Sequence, residues 1–422
     1  MLLSLSTVDE AKLAGEHGAG MAMAMRLVVE LATVMQAPRL IDIVSAHIDG
    51  CLYHGQAGLE FAEKLATLGA QVSVPTTLNV SSLDLLHPEL VRLSQSDAVA
   101  ARRLMDAYTS MGARATWTCA PYQLVGRPEP DTDIAWAESN AIVFANSAIG
   151  ARTDRYGDFI DICAAITGRA PLAGLHLAEN RVPTVELDCS TIPGHVLNGE
   201  AAWAALGYIV GQEVGDGVPI LTGISPEVVD EDRLKALGAT AASSGGLALF
   251  HVAGSTPEAL IAGEAWPQAG LKRVFVTAAA LRSARDELTT ATVGDRLDAV
   301  SLGTPHFSLA EFGKLAELLE DRVPFNQACM VWISTSREVL AGAKEKGYVQ
   351  LCEELGATFV VDTCTYVTPI LAPTARTAMT NSGKWAWYAP ANMDLAVVFG
   401  SLSECVASAR AGRVIRDESE WN

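Results

Sequence analysis

Two cysteine stretches, far apart in the chain, carry residue types from which a metal centre can be built. One is Ala115-Thr116-Trp117-Thr118-Cys119-Ala120-Pro121-Tyr122, and the other is Asp362-Thr363-Cys364-Thr365-Tyr366-Val367-Thr368-Pro369. Each cysteine falls in a turn after a strand-like run, with a proline to close it. Thiolates from separate loops are common ligands of iron–sulfur clusters. Spacing alone leaves two readings open: one shared cluster, or two unrelated buried thiols. A third thiol, Cys51, lies in His47-Ile48-Asp49-Gly50-Cys51-Leu52-Tyr53-His54-Gly55. Zinc competes for that loop, because His and Cys are its common ligands. A turn set by Gly50 and Gly55 explains it without any metal.

Around these thiols stand groups that could hold an anionic substrate. Thr76, Thr77 and Asn79 offer hydroxyls and an amide at a strand end, where they could equally cap a helix. Glu138 precedes Asn146, Ser147, Arg152 and Arg155 in one polar run. Arginine binds carboxylates through its planar fork, whereas an isolated arginine more often forms a surface ion pair. Thr304 to Ser308, Ser334 to Arg337 and Asp362 to Cys364 each follow a strand-like segment, and Thr380 to Lys384 is a polar turn running into an aromatic cluster. Ser308 and Ser336 also read as helix caps. Lys384 could hold an anion, although lysines are usually solvated.

The elements that must position these groups are strands and helices in alternation. A helix opens at Thr7 with Glu10 as its capping partner, and Leu40 to Val44 is strand-like. Leu59 to Leu68 reads as helix, Gln71 to Pro75 as strand, Pro88 to Met111 as helix and Arg114 to Thr116 as a short strand. The second half alternates more clearly. Strands are expected at 247–251, 273–277, 298–302, 330–334 and 358–361. Helices are expected at 257–264, 278–287, 309–319 and 337–346. Such alternation predicts α/β architecture, with parallel sheets covered by helices on both faces. Ligands of such sheets sit outside the carboxyl ends of the strands, where these polar segments fall. No linker divides the chain cleanly, and Ser243-Ser244-Gly245-Gly246 precedes a strand, which makes it a poor phosphate loop.

The chain has 422 residues, half of them hydrophobic, and a net charge of −19. That acidity argues against nucleic acid or an anionic membrane surface as partner. No signal peptide is evident at the N-terminus. The apolar run from Met21 to Met35 is interrupted by Arg26 and Glu30 and is too short to span a bilayer. Eight cysteines without paired short spacing fit a cytoplasmic setting better than a disulfide framework. Cys163, Cys352 and Cys405 lie on helix-like apolar stretches and read as inert thiols.

Taken together, the chain resembles the large, catalytic part of aconitase X, a divergent branch of the aconitase superfamily. The resemblance spans residues 1–422 and rests on Pro75 to Asn79, Thr118 to Tyr122, Glu138 to Arg155, Gly303 to Ser308, Asp362 to Cys364 and Asn381 to Lys384. It implies an aconitase-like three-layer α/β/α fold with several subdomains around a cleft. The family implies one of two dehydrations, of cis-3-hydroxy-L-proline to Δ1-pyrroline-2-carboxylate or of mevalonate 5-phosphate. The second type has a cysteine in a Gly-Cys-Pro-His motif; this chain has Thr304 there, and its His47 to Tyr53 stretch looks like the hydroxyproline type. Cys119, Cys364 and Cys51 are then the implied ligands of an iron–sulfur cluster of the 2Fe-2S or 4Fe-4S type. Cys329 is the alternative third thiol. His306, Glu138 and Lys384 become catalytic candidates. Thr76, Thr77, Asn79, Asn146, Ser147, Arg152, Ser308, Ser334 and Asn381 become substrate-binding candidates. The resemblance also implies a smaller swivelling domain, with a serine base, that this sequence lacks. A separate small subunit is the expected partner, and a cluster-bearing scaffold inactive without it is the rival reading.

Overall fold

The structure, a computed structural model, describes residues 3–262, 266 and 270–422. Its backbone contacts divide it into two units: Met1–Leu83 with Leu93–Val182, and Asp84–Arg92 with Pro183–Asn422. The chain passes from one to the other without a Gly- or Ser-rich linker, so sequence composition carries no mark of the division.

The first unit holds β1 (Leu40–Asp42), β2 (Ala46–Ile48), β3 (Thr76–Leu78), β4 (Ala135–Trp136) and β5 (Arg169–Pro171). β1 and β5 pair antiparallel. The other three form a parallel sheet in the order β3-β2-β4. β2 is buried at every residue, so its alternation is lost and only the short apolar run remains legible. The helix Ile160–Thr167 is buried on nearly every face and packs on β2 and on the helix Ala19–Val34.

The second unit holds two parallel sheets. One contains β6 (Val185–Asp188), β7 (Pro219–Thr222), β8 (His251–Val252) and β9 (Lys272–Phe275), in the order β8-β7-β6-β9. The other contains β10 (Ala299–Leu302), β11 (Met330–Ser334), β12 (Ala357–Val360), β13 (Thr377–Thr380) and β14 (Ala396–Phe399), in the order β12-β11-β10-β13-β14. In this sheet the chain builds outward from β10 on one side, then returns to start again at β13. The gap between β10 and β13 is the place where strand order reverses, which is where doubly wound sheets bind ligands. Two helices, Glu200–Val214 and Glu231–Gly245, cross so closely that a Cβ on Gly245 would run into the carbonyl oxygen of Gly211. The glycines of Ser243 to Gly246 therefore serve helix packing and a left-handed helix end at Gly246.

Several expectations shift. The first helix is capped one residue earlier than expected, by Ser6 with Asp9 as its reciprocal partner. The segment 71–75 is irregular, and the strand is β3 just beyond it. The helix expected over 88–111 begins only at Gln95, capped by Ser94, while Pro88–Leu90 forms a single 3-10 turn. That turn belongs to the second unit, where the Asp84 carboxylate accepts from the Val361 backbone N–H at 2.9 Å. Tertiary anchoring thus overrode helix propensity. The segment 114–116 forms only a single bridge, at Arg114, and the strand expected over 247–251 shrinks to β8. The helix at 257 runs to Ala262, and its expected end at Glu264 lies outside the described residues. The helix over 278–287 and the strand over 330–334 stand as expected. No described helix is long and apolar enough to cross a membrane.

Candidate functional site

The carboxyl edge of the β3-β2-β4 sheet presents a row of polar groups set by register. Ile48 pairs with Leu78, and His47 pairs with Trp136. One step past Ile48 comes Asp49; the matching steps on the neighbours are Asn79 and Glu138. The Asn79 Nδ2 donates to the Asp49 carboxylate. Asn79 is 3% exposed, and its Oδ1 has no partner among the described residues. Burial, then the carboxylates of Glu138, Asp158 and Asp161, push Asp49 up to about 8. Asp161, pushed up to about 7 by burial, is braced by the backbone N–H groups of Asp49, Gly50 and Ile162. His47 bonds Thr77 Oγ1 through Nδ1 at 2.8 Å, and burial drives it down to about 3, so it stays neutral.

The first cysteine turn is held from the same edge. Thr116 Oγ1 accepts from Leu78 N and donates to Leu78 O. Trp117 then takes a left-handed φ of 44°, which a bulky residue adopts only under constraint. The Cys119 carbonyl accepts from Asn140 Nδ2 at 2.7 Å, and the Tyr122 hydroxyl donates to Asn140 Oδ1 at 2.6 Å. Glu138 caps the helix Ser139–Phe144 through the Ala141 N–H and also takes the Asn140 amide. Its carboxylate is thereby part of the frame around Cys119. The Cys51 thiol is buried and faces the carbonyls of Ile48, Asn79 and Val80, with Asn79 O at 3.2 Å. Burial and nearby carboxylates push it well above the usual thiol range.

Other candidates in this unit are spent on structure. Thr76 donates to Val74 O. Asn146 bonds Thr153 from both ends of its amide and also accepts from Arg181. Ser147 is buried in the same π-helical turn. Arg152 reaches back to the exposed Asp131. Sequence reasoning overlooked Arg181, which is buried and donates to Asn146, Ala151 and Leu175. Nothing in its local sequence distinguishes it from a surface arginine.

In the second unit the polar segments gather at the carboxyl edge of the five-stranded sheet. Gly303-Thr304-Pro305-His306 follows β10, and Asn381-Ser382-Gly383-Lys384 follows β13, so both flank the reversal point. The Thr304–Pro305 bond is cis. Ser382 Oγ donates to the Thr304 carbonyl, which ties the two segments together. Gly303 has φ 87°, and a Cβ there would meet the Ser334 carbonyl oxygen, so glycine is required. Thr304 Oγ1 and Ser334 Oγ are buried hydroxyls with no partner among the described residues. Lys384 is buried in the first turn of the helix Gly383–Met393, contrary to the solvated position usual for lysine.

Cys364 follows β12 through Asp362, whose φ of 62° repeats the left-handed residue seen two positions before Cys119. Asp362 is clamped by both arms of Arg337, at 2.7 and 2.6 Å. His306 Nε2 lies 3.1 Å from the Thr363 carbonyl. A carbonyl can only accept, so Nε2 carries the proton and Nδ1 keeps its lone pair. Burial pushes this histidine down to about 4. The tautomer suits ligation or proton acceptance better than proton donation to a departing hydroxyl. A ring nitrogen of His306 and the Cys364 sulfur lie within 4.8 Å of each other, and both residues are buried. Thiol and imidazole beside unpartnered hydroxyls fit a soft metal or cluster. Cys329 precedes β11 at the opposite end of the strands, packed in apolar surroundings. A five-residue strand of about 16 Å separates the two ends.

A cleft beside Thr304 is lined by Lys235, Thr240, Glu311, Asn381 and Ser382. Lys235 is buried and pairs with Asp232 at 3.0 Å and with Glu311. Ser308 caps the helix Leu309–Leu318 with Glu311 and donates to Asp232, so it acts as the cap that its context suggested. Lys235 was not foreseen. The available signal was a lysine between Leu234 and Leu237, on a helix face that had to be apolar.

Family models for the aconitase X first, second and third domains match residues 2–179, 183–286 and 297–411. A cis-3-hydroxy-L-proline dehydratase of Pseudomonas aeruginosa is 44% identical over 413 residues, 97% of this chain and 70% of the relative. The phosphomevalonate dehydratase large subunit of Methanothermobacter thermautotrophicus is 37% identical over 94% of this chain and 96% of its own length. The crystal structure of holo aconitase X from Thermococcus kodakaraensis superimposes with a TM-score of 0.86 at 34% identity, covering 96% of this chain and 100% of that one.

Proposed function

The chain belongs to the aconitase X family, and on that premise we propose that it dehydrates cis-3-hydroxy-L-proline to Δ1-pyrroline-2-carboxylate. The reaction removes the proton beside the carboxylate and the 3-hydroxyl, releases one water, and leaves an enamine that tautomerises to the imine. The carrying observation is the 44% identity to the Pseudomonas enzyme across 97% of the chain, against 37% to the phosphomevalonate large subunit. Thr304, where the phosphomevalonate type has cysteine, agrees with it.

Cys119 and Cys364 are the thiols this reading gives to an iron–sulfur cluster, with Cys51 as the third. The cluster, when bound, supplies a Lewis acid for the leaving hydroxyl. The rest falls to the protein. A buried Lys384 suits the substrate carboxylate better than Arg152, which is committed to Asp131. Fixing that carboxylate against a cation acidifies the neighbouring C–H. The proton acceptor is assigned to a small partner subunit, of the kind implied by relatives named as large subunits.

The test has two parts. Anaerobically purified protein should contain iron and acid-labile sulfide, and Cys119→Ser and Cys364→Ser should each remove them. Retention of a full cluster in either variant refutes that ligand. Steady-state assays should then show pyrroline carboxylate formed from cis-3-hydroxy-L-proline once the small subunit is added. Turnover of mevalonate 5-phosphate instead would overturn the substrate assignment.

A further inference from the structure

The row Asn79–Asp49–Glu138 has a peculiarity that the proposed chemistry does not use. Beyond their mutual bond, Asn79 offers an amide oxygen and Asp49 a carboxyl group. Asn79 spends its Nδ2 on Asp49, which leaves its Oδ1 buried with no donor among the described residues. The Asp49 carboxylate takes that one amide and is only partly buried. Two residues before it, His47 Nε2 is a further buried ring nitrogen without a partner among the described residues. Its Nδ1 faces a threonine hydroxyl that itself lies 3.5 Å from the Ala46 carbonyl. A buried acceptor left unmet is unfavourable, so the row can take a donor from a ligand.

Resting on the hydroxyproline reading, we infer that Asp49 and Asn79 bind the substrate's secondary ammonium group. A pyrrolidine ammonium carries two N–H donors about a single charged nitrogen. One can meet the Asp49 carboxylate and the other the orphan Asn79 Oδ1, which stand side by side because their strands are in register. The pairing supplies the donor that Asn79 Oδ1 lacks among the described residues. It also separates the two family chemistries, because mevalonate 5-phosphate has no amine and would bring further negative charge to an acidic edge. Asp161, saturated by three backbone N–H groups, serves as the brace that fixes the Asp49 backbone. Asp49 and Asn79 are substrate-positioning residues in this scheme, and the proton removal lies elsewhere.

Calorimetry on the full chain, anaerobically purified, tests this with L-proline and cyclopentanecarboxylate, which share a ring and carboxylate but differ in the amine. The native protein should bind L-proline at least tenfold more tightly. Asp49→Asn should abolish that preference and leave the affinity for cyclopentanecarboxylate within about twofold. Asn79→Ser, which removes the orphan acceptor without changing charge, should weaken L-proline alone by about threefold to tenfold, and it serves if Asp49→Asn does not fold. A preference for L-proline that survives both substitutions would overturn the inference while leaving the hydroxyproline reading in place. That result would mean that Asn79 is simply turned over to accept from a protonated Asp49. Displacement of L-proline by potassium chloride but not by choline chloride would make the row an alkali-metal site and likewise overturn it. A native protein that binds neither ligand but binds mevalonate 5-phosphate would sink the hydroxyproline reading itself.

Discussion

The carboxyl edges of the two units treat buried charge in opposite ways. In the second unit Lys235 sits between Asp232 and Glu311, and Ser308 donates into the same group. Burial alone would strip the proton from Lys235, but the two carboxylates hold it and push its pKa up. In the first unit Asp49 has carboxylates for neighbours and an amide for a partner. The compensated group stands beside the reversal point of a large sheet, where a rigid frame is needed. The other stands at an edge where, among the described residues, Asn79 Oδ1 has no donor. A charge balanced within the fold reads as architecture, and one left unbalanced at a strand end reads as a binding function.

Removing one member of each group should sharpen that contrast most. Lys235→Met leaves two carboxylates buried without a counter-charge and should cost about 3–5 kcal/mol. Asp49→Asn relieves repulsion and should stay within about 1 kcal/mol of the native protein. Urea unfolding of both variants at pH 7 measures the pair. A loss below about 1 kcal/mol for Lys235→Met would erase the distinction.

Acid and base should then stress the first unit from two sides. Asp49 and Asp161 have native pKa values near 8 and 7, well above the 3.8 of the unfolded chain. Their stabilising contribution is complete below about 3.8 and is lost as the pH rises through 7 to 8. His47 runs the other way, because its native value near 3 lies below the unfolded 6.5. Its contribution is complete above 6.5. Below that it is lost at about 1.4 kcal/mol per pH unit, since the unfolded chain gains the proton. Between about pH 4 and 6.5 the two carboxyls outweigh the one imidazole, so these three groups together place the maximum near pH 4, with the histidine limb below it. His47→Gln should flatten the acid limb by one proton, and an unchanged slope would show that His47 is charged in the fold.

How far the sequence could anticipate this follows from which residues act locally. The helix over 278–287 and the strand over 330–334 were legible because caps, period and burial agree there. The caps Ser308 and Ser336 were legible for the same reason. The strand-end location of the polar segments followed from the βα rhythm, and the structure places Ser334 at the end of β11 and Thr304, Cys364 and Asn381 after parallel strands. The start of the helix at Gln95 was not legible, because the preceding turn is anchored by Asp84 to a strand end nearly three hundred residues away. The row Asn79–Asp49–Glu138 was invisible for a similar reason. Its members come from three strands, and only register aligns them. Lys235 and Arg181 were missed because burial of a cation depends on partners that other parts of the chain supply.

The two arginines of the Asn146 region give the smallest and most local form of the comparison. Arg181 is 2% exposed and donates to a side-chain amide and three backbone carbonyls. Arg181→Lys keeps the charge but loses the fork, and should cost about 2–3 kcal/mol by leaving some of those acceptors unmet. Arg152 instead pairs with Asp131, whose side chain is 78% exposed. Solvent screens such a pair, so Arg152→Lys should change stability by less than about 1 kcal/mol. Thermal unfolding ranks the two variants, and the kinetics of Arg152→Lys decide what remains. If Arg152 only closes a surface ion pair, kcat/KM for cis-3-hydroxy-L-proline should stay within about twofold. A loss of tenfold or more at unchanged stability would cost about 1.4 kcal/mol of transition-state binding. That outcome would show that the guanidinium leaves Asp131 to hold the substrate carboxylate.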